Sequence, residues 1–276
     1  MTDVTGDETD PDFAADFRRT APSATDWFLP LSPPVSAPIQ VFAFPNAGAG
    51  AGSFAACASE AAGRIDLWGA NLPGREARFP EPPRTDLGPL VTELADALQR
   101  YRNHRRPYGI VGYCAGAVLA YLVAAELSRR AATPPSRLVI VSFLPPHRVQ
   151  ADDDLLRAPS EEFWSRIATL GGLPDEIAAQ PDARELFEPT IRADFALLTG
   201  RSLPRDDMDP LDIPITVLAG RDDHVFDTGY YAEWKQYSCA EFRLRLVPGD
   251  HWLLRGDPHA LAKILSQEIP PSGIEP

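Results

Sequence analysis

Three short stretches of this chain carry residue types that covalent chemistry uses. The first is Tyr108-Gly-Ile-Val-Gly112-Tyr113-Cys114-Ala115-Gly116-Ala117, an apolar strand pattern that runs through G-x-C-x-G into a helix pattern. Glycines two before and two after the cysteine let a strand turn sharply into a helix without a Cβ clash. The central side chain is then presented on strained backbone at a helix N-terminus, where free N–H groups favour an anion. Cys114 is therefore a candidate nucleophile, and the N–H of Ala115 a candidate donor to an oxyanion. The second stretch is Gly220-Arg221-Asp222-Asp223-His224-Val225 and the third Pro248-Gly249-Asp250-His251-Trp252, each just after a strand pattern. Taken singly, they read as a buried cysteine in a turn, turn-forming aspartates and a helix-capping turn. Taken in order they supply a nucleophile, an acid and a general base. His251 would move the proton, and an aspartate would orient the imidazole. Asp223, third after Gly220, is the preferred acid and Asp222 the alternative.

The elements that must position these residues alternate. After the Pro-rich stretch Pro33, Pro34, Pro38, the run Ile39–Phe44 reads as a strand, followed by a helix around Phe54–Ala62 and the strand Ile65–Ala70. A helix from Leu87–Pro89 to Tyr101 puts Leu90, Leu94, Ala97 and Leu98 on one face. Strand Tyr108–Val111, helix Ala115–Arg130 and strand Leu138–Phe143 follow. Between Pro145 and about Arg205 only helical stretches are found (Ser160–Leu170, Pro174–Gln180, Ala183–Thr199). Alternation resumes with strand Ile215–Leu218, helix Thr228–Tyr237, strand Phe242–Leu246 and helix Pro258–Glu268. Alternation of this kind predicts an α/β fold, with a mostly parallel sheet covered by helices on both faces. The block 145–205 would be a helical insertion over one end of it. Order is expected from about residue 25 to 270, preceded by a disordered acidic arm (1–24) and followed by a flexible tail (271–276).

Composition narrows the function classes. With 26 basic and 39 acidic residues in 276, the net charge of −13 disfavours nucleic acid or an anionic membrane as partner. The three cysteines have no C-x-x-C spacing, so no disulfide framework or zinc knuckle is written here. No histidine pairs with a cysteine or second histidine at metal-ligand spacing, and neither a metal nor a bound cofactor is expected. Without a signal peptide or an apolar run of the roughly 20 residues that span a bilayer, the expectation is a cytoplasmic protein and a monomer. The glycine-rich loop after the first core strand, Phe44-Pro45-Asn46-Ala47-Gly48-Ala49-Gly50-Ala51-Gly52, has two readings. It can offer a backbone N–H to an oxyanion. Alternatively, Gly50-Ala51-Gly52-Ser53-Phe54-Ala55 matches the dinucleotide pattern G-x-G-x-x-A, although Asp66 stands at the start of the second strand rather than its end.

Together these stretches resemble the type II thioesterases that accompany polyketide and nonribosomal peptide synthetases. The resemblance covers about residues 25–268. It rests on Trp27-Phe28, Phe44-Pro45-x-Ala47-Gly48, Leu72-Pro73-Gly74-Arg75-Glu76, the cysteine turn, Leu170-Gly171-Gly172, Arg192-Ala193-Asp194-Phe195, Gly220-Arg221-Asp222-Asp223 and Pro248-Gly249-Asp250-His251. It implies an α/β-hydrolase fold with a helical lid, in which G-x-C-x-G is the nucleophile elbow. It also implies acyl substrates held as thioesters on phosphopantetheine arms, so that acyl or peptidyl carrier proteins are the partners. Cys114, Asp223 and His251 would form the triad, with Ala47 and Ala115 as oxyanion donors. Asn46, Tyr113, Phe195 and Trp252 are candidates for substrate contact. The loop Asn71–Phe79 and the lid residues Leu155, Leu156, Phe163, Trp164, Leu170, Leu173, Phe187 and Phe195 are candidates for setting which acyl chain enters.

Two residues depart from the family pattern. Cys114 replaces a serine that often follows histidine, here Tyr113, and Asn46 replaces an aromatic residue or histidine. Acyl transfer to serine gives an oxygen ester that another thiol reverses poorly. Transfer to cysteine gives a second thioester, nearly isoenergetic with the donor. The expected activity is hydrolysis through an acyl-cysteine. The alternative is an acyl or aminoacyl transferase shuttling between carriers, as some relatives with this change look to be. A non-catalytic carrier-binding protein is the third reading.

Overall fold

In the computed structural model, residues 23–32, 37–149, 152–171, 180–199 and 209–269 are described. The expected tail, all of the acidic arm but its last two residues, the predicted helix Pro174–Gln180 except Gln180, and Leu173 lie outside them.

Seven strands form one sheet: β1 (Phe28–Pro30), β2 (Ile39–Phe44), β3 (Ile65–Ala70), β4 (Tyr108–Tyr113), β5 (Arg137–Val141), β6 (Ile215–Gly220) and β7 (Phe242–Val247). Their order is β1-β3-β2-β4-β5-β6-β7, parallel throughout except for β1, which pairs antiparallel with β3 through Phe28↔Ala70. Every residue of β2, β4, β5 and β6 is buried, as strands covered on both faces must be. Gln40 is the polar exception in β2. Its amide donates to the carbonyl of Tyr101 and accepts from the N–H of Asn103, so it carries no unpaired polar atom into the core.

The two faces are packed by different helices. One carries α2 (Leu87–Tyr101), capped by Asp86, and α3 (Gly116–Arg129), whose apolar sides join Phe42, Ile110 and Ile140. The other carries α1 (Ala55–Ala61) and the C-terminal helix Pro258–Glu268, which meet Ile39, Val41 and Val139. Asp257 caps that last helix through the N–H of Ala260, and Pro258 opens it, where a missing N–H costs nothing. The sequence β2–β3–β4 doubles back, so that β2 and β4 lie side by side with β3 outside them. Ligands of open α/β sheets bind at such a reversal, beyond the carboxyl ends of the strands. Here those ends lead into Pro45–Gly50 and Cys114–Gly116.

The insertion contributes α4 (Asp153–Arg157), α5 (Ser160–Thr169) and α6 (Pro181–Thr199). They share a small core of Leu155, Ala158, Phe163, Trp164, Ile167 and Ile191. Arg192 binds it together, its guanidinium 4.0 Å from the Phe163 ring and donating to the carbonyls of Leu156 and Ala158. The block is the lid that the resemblance implies. The structure differs from the sequence reading at the bounds of several strands, in the extra short helix Leu253–Gly256, and in three further details. Strand β1 is absent from it, because three residues ending in proline carry no periodicity. The short α4 is absent too. The stretch Thr228–Tyr237 is a 3-10 helix rather than an α-helix, held by the N-cap Asp227 and burying Tyr231, Trp234 and Tyr237.

Candidate active site

The turn at Cys114 is built by close backbone approach. Cys114 has φ +49°, and its N–H donates to the carbonyl of Val141. A Cβ on Gly112 would stand 2.4 Å from the Cα of Ala117, and one on Gly116 would stand 2.3 Å from the carbonyl oxygen of Phe44. Neither position admits a side chain without moving backbone. Both glycines are therefore explained by the elbow, and the tight contact at Gly116 draws the end of β2 against the start of α3.

His251 and Asp223 reach the same place from the ends of β7 and β6. His251 Nε2 lies 3.5 Å from Cys114 Sγ, and His251 Nδ1 lies 2.9 Å from Asp223 Oδ2. The side chains of His251 and Asp223 are 1% and 0% exposed, so the pair is dry. Asp223 is also fixed from behind. Its Oδ1 accepts the N–H groups of Val225 (2.9 Å) and Phe226 (3.1 Å), and its Oδ2 accepts the hydroxyl of Tyr231 at 2.5 Å. Of the two aspartates left open by the sequence, Asp223 holds the imidazole, whereas Asp222 is exposed and its N–H bonds the carbonyl of Gly249. Tyr231 was missed by sequence reasoning. It stands eight residues from Asp223 in a stretch whose aromatic residues all read as packing.

The electrostatics favour an ionised pair. Burial works against the Asp223 carboxylate, but hydrogen bonds from His251 and Tyr231 hold it below its ordinary range. Burial likewise works against a charged His251. The hydrogen bonds to Asp223 and Cys114, with the attraction of both, outweigh it and raise the imidazole from 6.5 to about 9. Tyr231 is pushed up by burial and by Asp223, so it remains a donor. The rings of Phe226 and Trp252 stand edge-on to the imidazole at 5.4 and 4.8 Å, enclosing it in apolar surface.

Cys114 and His251 open onto a cavity of about 890 Å³ between the sheet and the lid. Asn46, Ala47, Ala115, Phe195 and Trp252 line it. Among the described residues, the N–H groups of Ala47 and Ala115 have no acceptor. Leu155, Leu170 and Phe187 also face the cavity, with Ile167 and Ile191 beside them. Phe163 and Trp164 do not; they are the interior of the lid, and Trp164 donates its Nε1–H to Glu188. Leu156 is likewise outside the wall.

Tyr113 is a correction to the expected substrate contacts. Tyr113, the last residue of β4, shares a face with Val111 and packs in the cluster of Val139 and Leu254, and it does not line the cavity. It is 2% exposed there, and its hydroxyl bonds the carbonyl of His251 at 3.3 Å. It supports the histidine loop and stands outside the cavity wall. The loop Asn71–Phe79 also stays out of the cavity wall among the described residues. The dinucleotide reading of Gly50–Ala55 fails on space. The carboxylate of Glu76 accepts the N–H of Gly52 at 2.9 Å, and a Cβ on Gly50 would meet it at 2.2 Å. The protein's own anion fills the place a phosphate would need. His224 is exposed, His147 is held between Glu233 and Tyr237, and no group of three His, Cys, Asp or Glu side chains suited to a metal occurs among the described residues. None of the described helices is long and apolar enough to cross a membrane.

A Thioesterase domain model matches residues 39–269. The gramicidin S biosynthesis protein GrsT of Aneurinibacillus migulanus is 25% identical over 88% of this chain and 93% of its own length. Linear gramicidin dehydrogenase LgrE of Brevibacillus parabrevis is 26% identical over 91% and 95%. Among solved structures, the RedJ thioesterase from the prodiginine biosynthetic pathway in Streptomyces coelicolor is 29% identical. It covers 90% of this chain and 96% of that one, with a TM-score of 0.77. The parallel sheet, the elbow at the end of β4 and the match over residues 39–269 lead to one conclusion: this chain belongs to the thioesterase-domain family, with an α/β-hydrolase fold.

Proposed function

We propose that this protein is a type II thioesterase that hydrolyses acyl groups from the phosphopantetheine arms of carrier proteins in a polyketide or nonribosomal peptide assembly line, through an acyl-Cys114 intermediate. The observation that carries the reading is the line Cys114–His251–Asp223 opening onto an apolar cavity. The family match and the biosynthetic relatives support the substrate class.

In the first step Cys114 Sγ, its proton passed to His251 Nε2, attacks the thioester carbonyl. The negative oxygen that forms would be received by the N–H groups of Ala47 and Ala115. The carrier thiol then leaves with the proton from His251, and Cys114 holds the acyl group. In the second step His251 takes a proton from water, which attacks the acyl-cysteine and releases the acid and the thiol. Phe195 and Trp252, with the lid residues beside them, would hold the acyl chain, and Asn46 would stand near its carbonyl end.

Intact-mass measurement after mixing with an acyl-loaded carrier tests the covalent step. The expected adduct appears on wild type and is lost in Cys114→Ala; equal labelling of the two would refute the triad. The thiol nucleophile itself favours a second reading, acyl transfer to another carrier thiol, because its acyl-thioester remains open to thiol attack. Adding an empty carrier and following free acid together with newly loaded carrier separates the two. Hydrolysis predicts free acid from wild type. Transfer predicts loaded carrier, shifted toward free acid by Cys114→Ser.

A further inference from the structure

The motifs around Arg75 and Asp194 have no part in the triad, yet the structure joins them directly beneath the loop that carries Ala47. Asp194, on the lid helix α6, accepts two hydrogen bonds from the Arg75 guanidinium, Nη1 at 2.7 Å and Nη2 at 2.8 Å. The two side chains are 5% and 8% exposed. The same Asp194 Oδ2 accepts the N–H of Gly48 at 2.7 Å, and Arg75 Nη1 also donates to the carbonyl of Ala49 at 3.1 Å. Both polar ends of the short segment Gly48–Ala49 are thus held by one buried ion pair. Gly48 sits at φ +76°, with Ile191 of α6 so close that a Cβ would meet it at 2.8 Å. One turn earlier, Thr190 donates to the carbonyl of Gly74, tying the Arg75 loop to the same helix.

We propose that Asp194 and Arg75 are positioning residues for the oxyanion site: from the lid, they fix the peptide between Ala47 and Gly48 so that the Ala47 N–H stays aimed at the reacting carbonyl. This rests on the thioesterase reading and deepens it. A carboxylate within an ion pair is a strong acceptor, so the Gly48 N–H has one favoured direction. The bond lies one residue from the donor it steadies. Neither Asp194 nor Arg75 lines the cavity, so each acts on the reaction through what it holds, and both hold the Gly48–Ala49 segment. Because Asp194 belongs to the lid, any displacement of α6 would also slacken the oxyanion site.

The test uses two reactions of Cys114 that differ in their need for an oxyanion. Alkylation by iodoacetamide is a displacement at carbon and forms none, whereas acylation by an acyl-N-acetylcysteamine thioester does. In Asp194→Asn, acylation should fall at least about tenfold, part of the roughly 10²- to 10³-fold that loss of a whole oxyanion donor costs. KM and the alkylation rate should stay within about twofold, since neither depends on that donor. A second variant removes the pair altogether, Arg75→Met with Asp194→Leu, which keeps the space apolar and avoids a lone buried charge. Its melting temperature should be near that of wild type while acylation remains slow. Recovery of acylation in this folded double variant would overturn the proposal, as would a parallel loss of alkylation and acylation in Asp194→Asn. Wild type that takes no acyl group at all would instead refute the thioesterase reading.

Discussion

Asp223→Asn asks what the buried carboxylate does for His251, and the surrounding bonds determine how the new amide must sit. Oδ1 accepts two backbone N–H groups, from Val225 and Phe226, so the amide NH₂ cannot turn toward it without facing donors. The NH₂ must take the place of Oδ2, where it meets His251 Nδ1 at about the present 2.9 Å. His251 Nδ1 then has to accept, and its proton moves to Nε2, facing Cys114 with a hydrogen where a lone pair is required. The charge effect runs the same way. Raising His251 from 6.5 to about 9 against its burial is a net gain of some 300-fold in proton affinity, or about 3 kcal/mol, and Asp223 and Cys114 together supply more than that. Losing the Asp223 share and the tautomer together should slow acylation by about 10²- to 10³-fold. That is less than the roughly 10⁴-fold seen when a serine triad takes the wrong tautomer, because a thiol needs less help than a hydroxyl. Histidine NMR, with His251 assigned by difference from His251→Gln, should show the titration near pH 9 in wild type and below about 7 in the variant. A variant that acylates within about tenfold of wild type, with His251 still titrating near 9, would refute both the tautomer argument and the charge argument.

Three further outcomes follow from the same contacts. Tyr231→Phe removes a hydrogen bond to a buried carboxylate and should lower unfolding stability by about 1.5–3 kcal/mol in urea melts, while acylation changes less than about tenfold because His251 keeps its acceptor. Gly116→Ala places a Cβ 2.3 Å from the Phe44 carbonyl and 2.4 Å from that of Pro45, so it should cost about 1–3 kcal/mol and slow acylation at least tenfold. Gly256→Ala, with nothing within 4 Å, should do neither. Thermal stability should also follow the triad's charges. Asp223, lowered in the fold, contributes above its ordinary value near 3.9 and loses that contribution as pH falls through its folded value. His251, raised, contributes fully below about 6.5 and loses it as pH rises through about 9. Calorimetry should therefore show a melting temperature that declines between pH 6.5 and 9 more steeply in wild type than in His251→Gln.

Much of this arrangement is legible in the sequence wherever it is encoded locally. The elbow declares itself because glycines frame Cys114 at the end of a strand pattern and Gly112 answers contacts made within a few residues, and the Asp223 and His251 loops because each follows a strand pattern. What is not legible is whatever depends on a meeting of distant segments. Arg75 and Asp194 are 119 positions apart, and nothing in either segment alone says that one neutralises the other. Tyr231 reads as one aromatic residue among several until the 3-10 turn aims its hydroxyl at Asp223. Tyr113 illustrates the opposite error. It stands next to Cys114 in sequence, but as the last residue of β4 it shares the face of Val111, away from the cavity, while Cys114 has already left the strand.

The lid bears on what the cysteine can accomplish. It is attached on both sides of the cavity: through Asp194 to the Gly48 loop, and through the carbonyls of Leu170 and Gly171, which accept from Trp252 Nε1 and the Arg255 guanidinium. Trp252 follows His251 directly, so the second attachment reaches the base just as the first reaches the oxyanion loop. A lid held in this way keeps apolar walls around Cys114 while the acyl group is in place. Water must then enter for hydrolysis, whereas a second pantetheine thiol could enter along the path the first one left. On the proposed acyl-cysteine, the ratio of free acid to transferred acyl group would be set by how readily these two attachments loosen. Trp252→Phe keeps the ring but removes the Nε1 donor, and it should raise free acid relative to transferred product by about twofold to fivefold, the scale of one neutral hydrogen bond. Following both products with a loaded and an empty carrier gives that ratio directly. An unchanged ratio in Trp252→Phe would mean that the lid attachment does not govern the access of water to the acyl-cysteine.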